Sequence, residues 1–340
     1  WFLPSKNHAY GLSARGLAIG TASSRGEEFP EFQKFWIEEP ALGAREIVVH
    51  ALLDSQSTTG AYRFRIRPGV ETLIDTDVTL FPRRDLAEIG IAPLTSMYWL
   101  GPIAQPRSFD FRPRVHDSDG LAILNGNSER IWRPINNPAA LQISVFVDDA
   151  IGGFGLMQRE RGFDAYQDLE ARYERRPSLW IEPKSGFGPG NIILVEIPTE
   201  NEVNDNVVAF WRPKEPVRAG NATSFSYLMR WRDRAPTIER GPWVTSSRSG
   251  QALVDKAAIR FVVDYVDATL FEGEEMPEAK VTVSGGEVVS PLVQKNPETG
   301  GLRATFLFKP GNRDRADLRL NLGSWAGRTP ETWIYRWTRP

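Results

Sequence analysis

Short runs in which every second residue is apolar or β-branched, each closed by Gly, Pro, Asn or Asp, recur along most of this 340-residue chain. REIVVHALLD (45–54), GAYRFRIRPG (60–69), ETLIDTDVTLF (71–81), LQISVFVDD (141–149) and NIILVEIP (191–198) are the clearest. A period of two sends alternate side chains to opposite faces of an extended ribbon, so each run specifies a half-buried strand. Turns at such short intervals give the pattern of an antiparallel sandwich. Helical spacing is confined to RRDLAEIG (83–90), with an Asp near its start and Gly90 at its end, and FDAYQDLEARYERR (163–176).

The periodicity fades near residue 232. RDRAPTIERGPWVTSSRSGQALVDK (232–256) is rich in turn formers and reads as a linker or extended loop. Alternation returns in AIRFVVDYV (258–266), AKVTVSGGEVVSPLV (279–293), LRATFLFKP (302–310), DLRLNLGS (317–324) and ETWIYRW (331–337). These runs predict a small immunoglobulin-like sandwich. The division expected is therefore a large sandwich over 1–232, a connecting segment over 233–257 and a small sandwich over 258–340.

Charge excludes several classes of function. With 41 basic and 43 acidic residues, a formal net charge of −2, there is no basic stripe for nucleic acid and no polybasic membrane patch. No apolar run approaches the roughly 20 residues of a membrane helix, so no membrane insertion is expected and the chain reads as soluble. Zero cysteines remove disulfides, thiolate metal sites and a Cys nucleophile. The histidines are His8, His50 and His116, too few for a multi-histidine metal centre. Neither a metal nor a cofactor is expected. GFG (153–155) and GPGN (188–191) lack the helix and the Lys-Ser/Thr pair of a phosphate loop and read as turns. The opening WFLPSKNHAYG reads as the middle of a chain, without a signal peptide.

Two acidic clusters fall in loops between strands: Asp117 and Asp119 behind His116 in HDSD, and Glu202 and Asp205 in PTENEVNDN. Cleavage of a sugar acetal needs one carboxyl group that holds a proton and one that takes a proton from water. The alternative is that these residues only form turns, because Asp and Asn side chains bond their own backbone.

YGLSARGLAIGTA (10–22), EEFPEFQKFWIE (27–38), ALLDSQSTTGAYRF (51–64), APLTSMY (92–98), HDSDGLAI (116–123), ERIWRPINNP (129–138), GFGLMQR (153–159), RRPSLWIEP (175–183) and IPTENEVNDNVVAFW (197–211) resemble the periplasmic glucan biosynthesis proteins G and D. The resemblance runs to the terminal ETWIYRW and departs from the family in lacking the N-terminal part of the first sandwich. It implies a large β-sandwich followed by an immunoglobulin-like domain, a periplasmic location and β-1,2-glucan as substrate. Some family members resemble inverting endo-β-1,2-glucanases; others cyclise the glucan by transglycosylation.

The family pattern places essential carboxylates at Asp117 and Asp205, with Glu202 a further acidic position. Packing beside Glu202 would raise the pKa of Asp205 and make it the acid, while donors around Asp117, next to His116 and the amide-rich HDSDGLAILNGN loop, would keep it ionised as the base. The reverse assignment stays open, and the resemblance implies proton transfer through a sugar hydroxyl or a water chain. Trp36, Trp132, Trp180 and Trp211 lie in family segments and offer faces for pyranose stacking, against the alternative of core packing. Arg15 and Arg133 are candidate donors to sugar hydroxyls or structural partners of buried carboxylates. Trp243 is a candidate exposed aromatic, since the segment matching 232–256 lies near the glucan cleft in the family and in some members comes from a neighbouring subunit. A homodimer stays open for that reason. The competing function classes are a β-1,2-glucan-acting hydrolase or transglycosylase, a non-catalytic glucan-binding or assembly protein, and a carbohydrate-binding sandwich without linkage preference.

Overall fold

The structure, a computed structural model, describes residues 11–103, 109–267, 276–325 and 327–339; His8 lies outside them. Among the described residues the regular elements are strands, with 3-10 turns at Phe163–Ala165, Tyr173–Arg175 and Pro236–Arg240. No described helix is long and apolar enough to cross a membrane.

The all-β expectation is met by two packed sandwiches that share one sheet. A six-stranded sheet holds Ser13–Ala14, Leu17–Ile19, Ile89–Ser96, Val207–Pro213, Gly190–Glu196 and Gln142–Asp148. It faces the longer part of a twelve-stranded sheet that runs in order from Arg130–Pro134 through Gly120–Leu124, Gly153–Met157, Ser178–Ser185, Thr223–Arg232, Thr72–Pro82, Thr58–Arg67 and Ile47–Asp54 to the edge strand Glu31–Ile37. Between them lies a core of alternating inward residues, among them Leu53, Phe64, Leu80, Leu94, Phe154, Ile181, Leu194 and Trp211. Such interdigitation of two inner faces is what strands of period two produce.

The other end of the same twelve-stranded sheet, Thr332–Thr338, Arg315–Leu322 and Ala279–Val283, belongs to the small sandwich. It packs on a four-stranded sheet of Trp243–Gln251, Ile259–Val266, Gly301–Lys309 and Glu287–Asn296 around Phe261, Phe306, Phe308 and Trp333. The two sandwiches meet where Arg130–Pro134 pairs in parallel with Thr332–Thr338, Ile131 opposite Thr332 and Trp132 opposite Trp333. A buried ion pair crosses the junction. Arg159 donates to both carboxylate oxygens of Glu331, at 2.8 and 2.9 Å, with its guanidinium 3.5 Å from the centre of the Trp132 ring.

Three expectations are corrected. Residues 83–90 form no helix: Leu86 bridges to Val217, and Asp85 accepts from Arg218 and the backbone N–H of Ala219, so the side chain anchors a neighbouring loop. In 163–176 the helical spacing yields only single 3-10 turns. Gln167 and Arg172 adopt left-handed backbone (φ 57° and 48°), and Asp168 accepts from the N–H groups of Glu170 and Ala171, which closes a turn where a helix would continue. The segment 233–257 contains the nine-residue strand Trp243–Gln251, paired with Ile259–Val266. A serine, Ser247, fills an inward position and accepts from Trp333 Nε1, which hid the alternation; Trp243 and Val244 are buried at its start.

Candidate active site

The strand Val115–His116 carries the first acidic cluster to the end of the large sandwich, held by Asp117 N–H to Met97 O (2.8 Å) and Asp119 N–H to Met157 O (2.8 Å). Its three polar side chains part company. His116 is fully buried, stacked on Tyr98 with ring centroids 5.1 Å apart, and its Nδ1 is bonded to Gln158 Oε1 at 2.8 Å. Burial pushes the imidazole down to about 3, so it is neutral at physiological pH and fixes the strand. Asp119 accepts from the backbone N–H groups of Arg159 (3.1 Å) and Glu160 (3.4 Å). It borders, with His116, Arg114 and Ser246, a cavity of about 30 Å3 between the sandwiches. Burial raises its carboxyl to about 6.

Asp117 points the other way, 4% exposed, and accepts from Arg176 Nη1 at 2.6 Å. Burial lifts its pKa to about 7; Arg176 opposes the rise, and the negative charges of Asp205 and Glu202 add to it. The expectation that neighbouring donors hold Asp117 ionised is therefore corrected: desolvation outweighs the single guanidinium. Gly11 presses on this pair, since a Cβ there would lie 2.8 Å from Arg176 Cδ and 3.0 Å from Asp117 Cγ.

The second cluster hangs from Asn206. The buried Asn206 side chain accepts from Tyr98 N–H (2.8 Å) and donates to Tyr98 O (3.0 Å) and Ile197 O (2.8 Å), clamping the loop to the strand after Met97. Asp205, next to this anchor, keeps a face open to solvent. Surrounding protein still raises its pKa, with Arg15 and Arg176 pulling it back. The expected cause was Glu202, but Glu202 is engaged elsewhere: it accepts from Arg112 Nη1 (2.8 Å) and Tyr173 Oη (2.9 Å). Arg112 also bonds Asp110 and Asp168, so one cation ties its own segment to the turn at Asp168 and to the acidic loop. Arg15 pairs with Glu27 at 3.0 Å while its charge reaches Asp205.

The site thus brings together Asp117, Asp205, Glu202 and Arg15, and adds Arg176, Arg112, Tyr173 and Asn206, which the sequence reading did not single out. No spacing rule links Arg176 to Asp117, 59 residues away. The other candidates lie elsewhere. Trp132, Trp180 and Trp211 are core, at 3%, 2% and 0% exposure, and Trp132 lies so close to Gly120 that a Cβ there would meet its ring at 2.2 Å. None of these three offers a sugar an open face, which corrects their reading as platforms. Trp243, at 7% exposure, is buried over Arg159 and Arg234, correcting its expected exposure. Arg133 is buried and bonded to Glu196 at 2.9 Å, the structural alternative of the two considered. Trp36 is exposed, on the edge strand Glu31–Ile37.

The family described as periplasmic glucan biosynthesis protein, MdoG, matches residues 3–337. "Glucans biosynthesis protein G" of Vibrio cholerae (strain O395) is 49% identical over 335 residues, covering 98% of this chain and 61% of that protein. The protein of the same name from Shewanella frigidimarina is 50% identical over 338 residues, covering 98% and 60%. The chain spans about three fifths of the length of these relatives. With the match running through both sandwiches and through the loops that carry Asp117, Glu202 and Asp205, the chain belongs to the periplasmic glucan biosynthesis protein MdoG family.

Proposed function

We propose that this protein acts in the periplasm on β-1,2-glucan, by acid/base cleavage or transglycosylation with inversion at the anomeric carbon. One observation carries the reading: Asp117 and Asp205, from separate loops, both bind protons more tightly than ordinary aspartates, and both feel the charge of Arg176. A carboxyl group whose pKa is raised keeps its proton at higher pH than a solvated aspartate does, which favours acid/base work. In this reading Asp205, the more open of the two, protonates the departing glycosidic oxygen. Asp117, poised at about 7, takes the proton from the incoming water or sugar hydroxyl, each directly or through a hydroxyl or water relay. Glu202, bonded to Arg112 and Tyr173, orders the acidic loop.

A second reading, a non-catalytic glucan-binding or assembly protein, draws on the relatives' printed name, which speaks of biosynthesis. Product analysis of wild type and Asp205→Asn on linear β-1,2-glucan separates the two. Shortened or cyclised products from wild type, and a loss of about 10²–10⁴ in rate with retained binding in the variant, support catalysis. Unaltered glucan in the presence of binding supports the assembly reading.

A further inference from the structure

We infer that Phe111 is the stacking platform of the acidic site, the ring on which a pyranose unit of the glucan lies beside Glu202. The inference deepens the glucan reading above and rests on it. Trp132, Trp180 and Trp211 are core, so the apolar face of a sugar needs another partner. Around the two acidic loops Tyr98, His116, Tyr166 and Tyr173 are buried and Trp99 is half-buried, whereas Phe111 is 78% exposed. Arg112 ties that ring to the site. Its guanidinium lies 5.7 Å from the centre of the Phe111 ring and 5.8 Å from that of Trp99, and its Nη1 donates to Glu202 Oε2 at 2.8 Å. Joined through the guanidinium, these contacts put the Phe111 ring within about 10 Å of the Glu202 carboxylate, a distance that a disaccharide bridges.

The ring is both fixed and open. Asp110 and Asp168 accept two further bonds from Arg112, at 3.0 and 2.8 Å, so the backbone beside Phe111 is set before a ligand arrives. Leu169 and Val203, the residues that follow Asp168 and Glu202, are 73% and 80% exposed and extend the apolar rim, Val203 on the loop that carries Asp205. Charge then selects the ligand. Asp110, Asp168 and Glu202 outnumber the one guanidinium they surround, which turns an anion away. A neutral sugar matches both surfaces. Its C–H face stacks on an aromatic ring, and its hydroxyls donate to a reachable carboxylate such as Glu202, whose side chain is 34% exposed.

The test titrates a linear β-1,2-gluco-oligosaccharide into the whole chain carrying Asp205→Asn, so that nothing is consumed. The same titration is run with Phe111→Ala and with Phe111→Tyr added. Phe111→Ala should weaken binding about tenfold, as loss of one aromatic contact implies, and Phe111→Tyr should restore it. Both should melt with the parent, because an exposed ring holds little of the fold. Unchanged affinity in Phe111→Ala overturns the inference, as does a parent that binds no glucan. A loss that Phe111→Tyr leaves in place overturns it too, since the ring face is then not what the sugar meets. Sedimentation reads the other occupant: a parent dimer that Phe111→Ala splits, with glucan binding intact, would give the patch to a second copy of the chain and overturn the platform. Turnover by the wild type is read separately. Phe111-dependent binding with the glucan left unaltered would overturn the catalytic reading and leave the platform standing.

Discussion

At the scale of single residues, the chemistry turns on how Asp117 is held. Its pKa of about 7 against 3.8 in an unfolded chain means that the folded state binds a proton the unfolded state releases between those values. Stability from this group is complete below about pH 4 and is lost as pH rises through about 7. The total is at most about 4 kcal/mol. Asp117→Asn should flatten that part of the stability profile, so that its melting temperature gains on wild type between pH 4.5 and 8, while its turnover falls about 10²–10⁴-fold. An unchanged gap across that range would show that Asp117 is ionised in the fold. Gly11→Ala tests the same pair from behind. Its methyl group should push Arg176 away from Asp117, remove the opposition to the proton and move the pH–rate profile upward. The site was half legible: the carboxylates stood out as acidic loops, but Arg176, Arg112 and Tyr173 reach them only through tertiary folding.

At the scale of elements, strands with alternating apolar residues were legible because burial on one face writes itself into every second position. Elements held by side-chain bonds to backbone were not. Asp85 resembled a helix starter and Asp168 lay inside a run of helical spacing, yet each spends its carboxylate on a loop or turn. The strand Trp243–Gln251 was hidden for a different reason: its pairing with Ile259–Val266 supplies the order that its Thr, Ser and Gly residues do not announce. Deleting residues 241–250 should therefore unfold the small sandwich, because it removes a strand together with the buried Trp243 and Val244. Circular dichroism and proteolysis would check this. A folded deletion variant would restore the segment to a dispensable loop.

At the scale of the whole molecule, the twelve-stranded sheet makes the two sandwiches mechanically one, a continuity that no local pattern could reveal. Glu331→Ala should cost about 3–5 kcal/mol, since it leaves Arg159 buried without its carboxylate. The variant's denaturant midpoint should drop by a corresponding amount, while a change confined to surface behaviour would show that the junction is held by the strand pairing alone. That pairing also sets a clock. Ile131 waits for Thr332, some 200 residues later, before the strand Arg130–Pro134 gains its parallel neighbour. At synthesis rates of about 5–20 residues per second the interval is roughly 10–40 s. For that time the nascent chain carries an open strand edge, a template for mispairing with other chains.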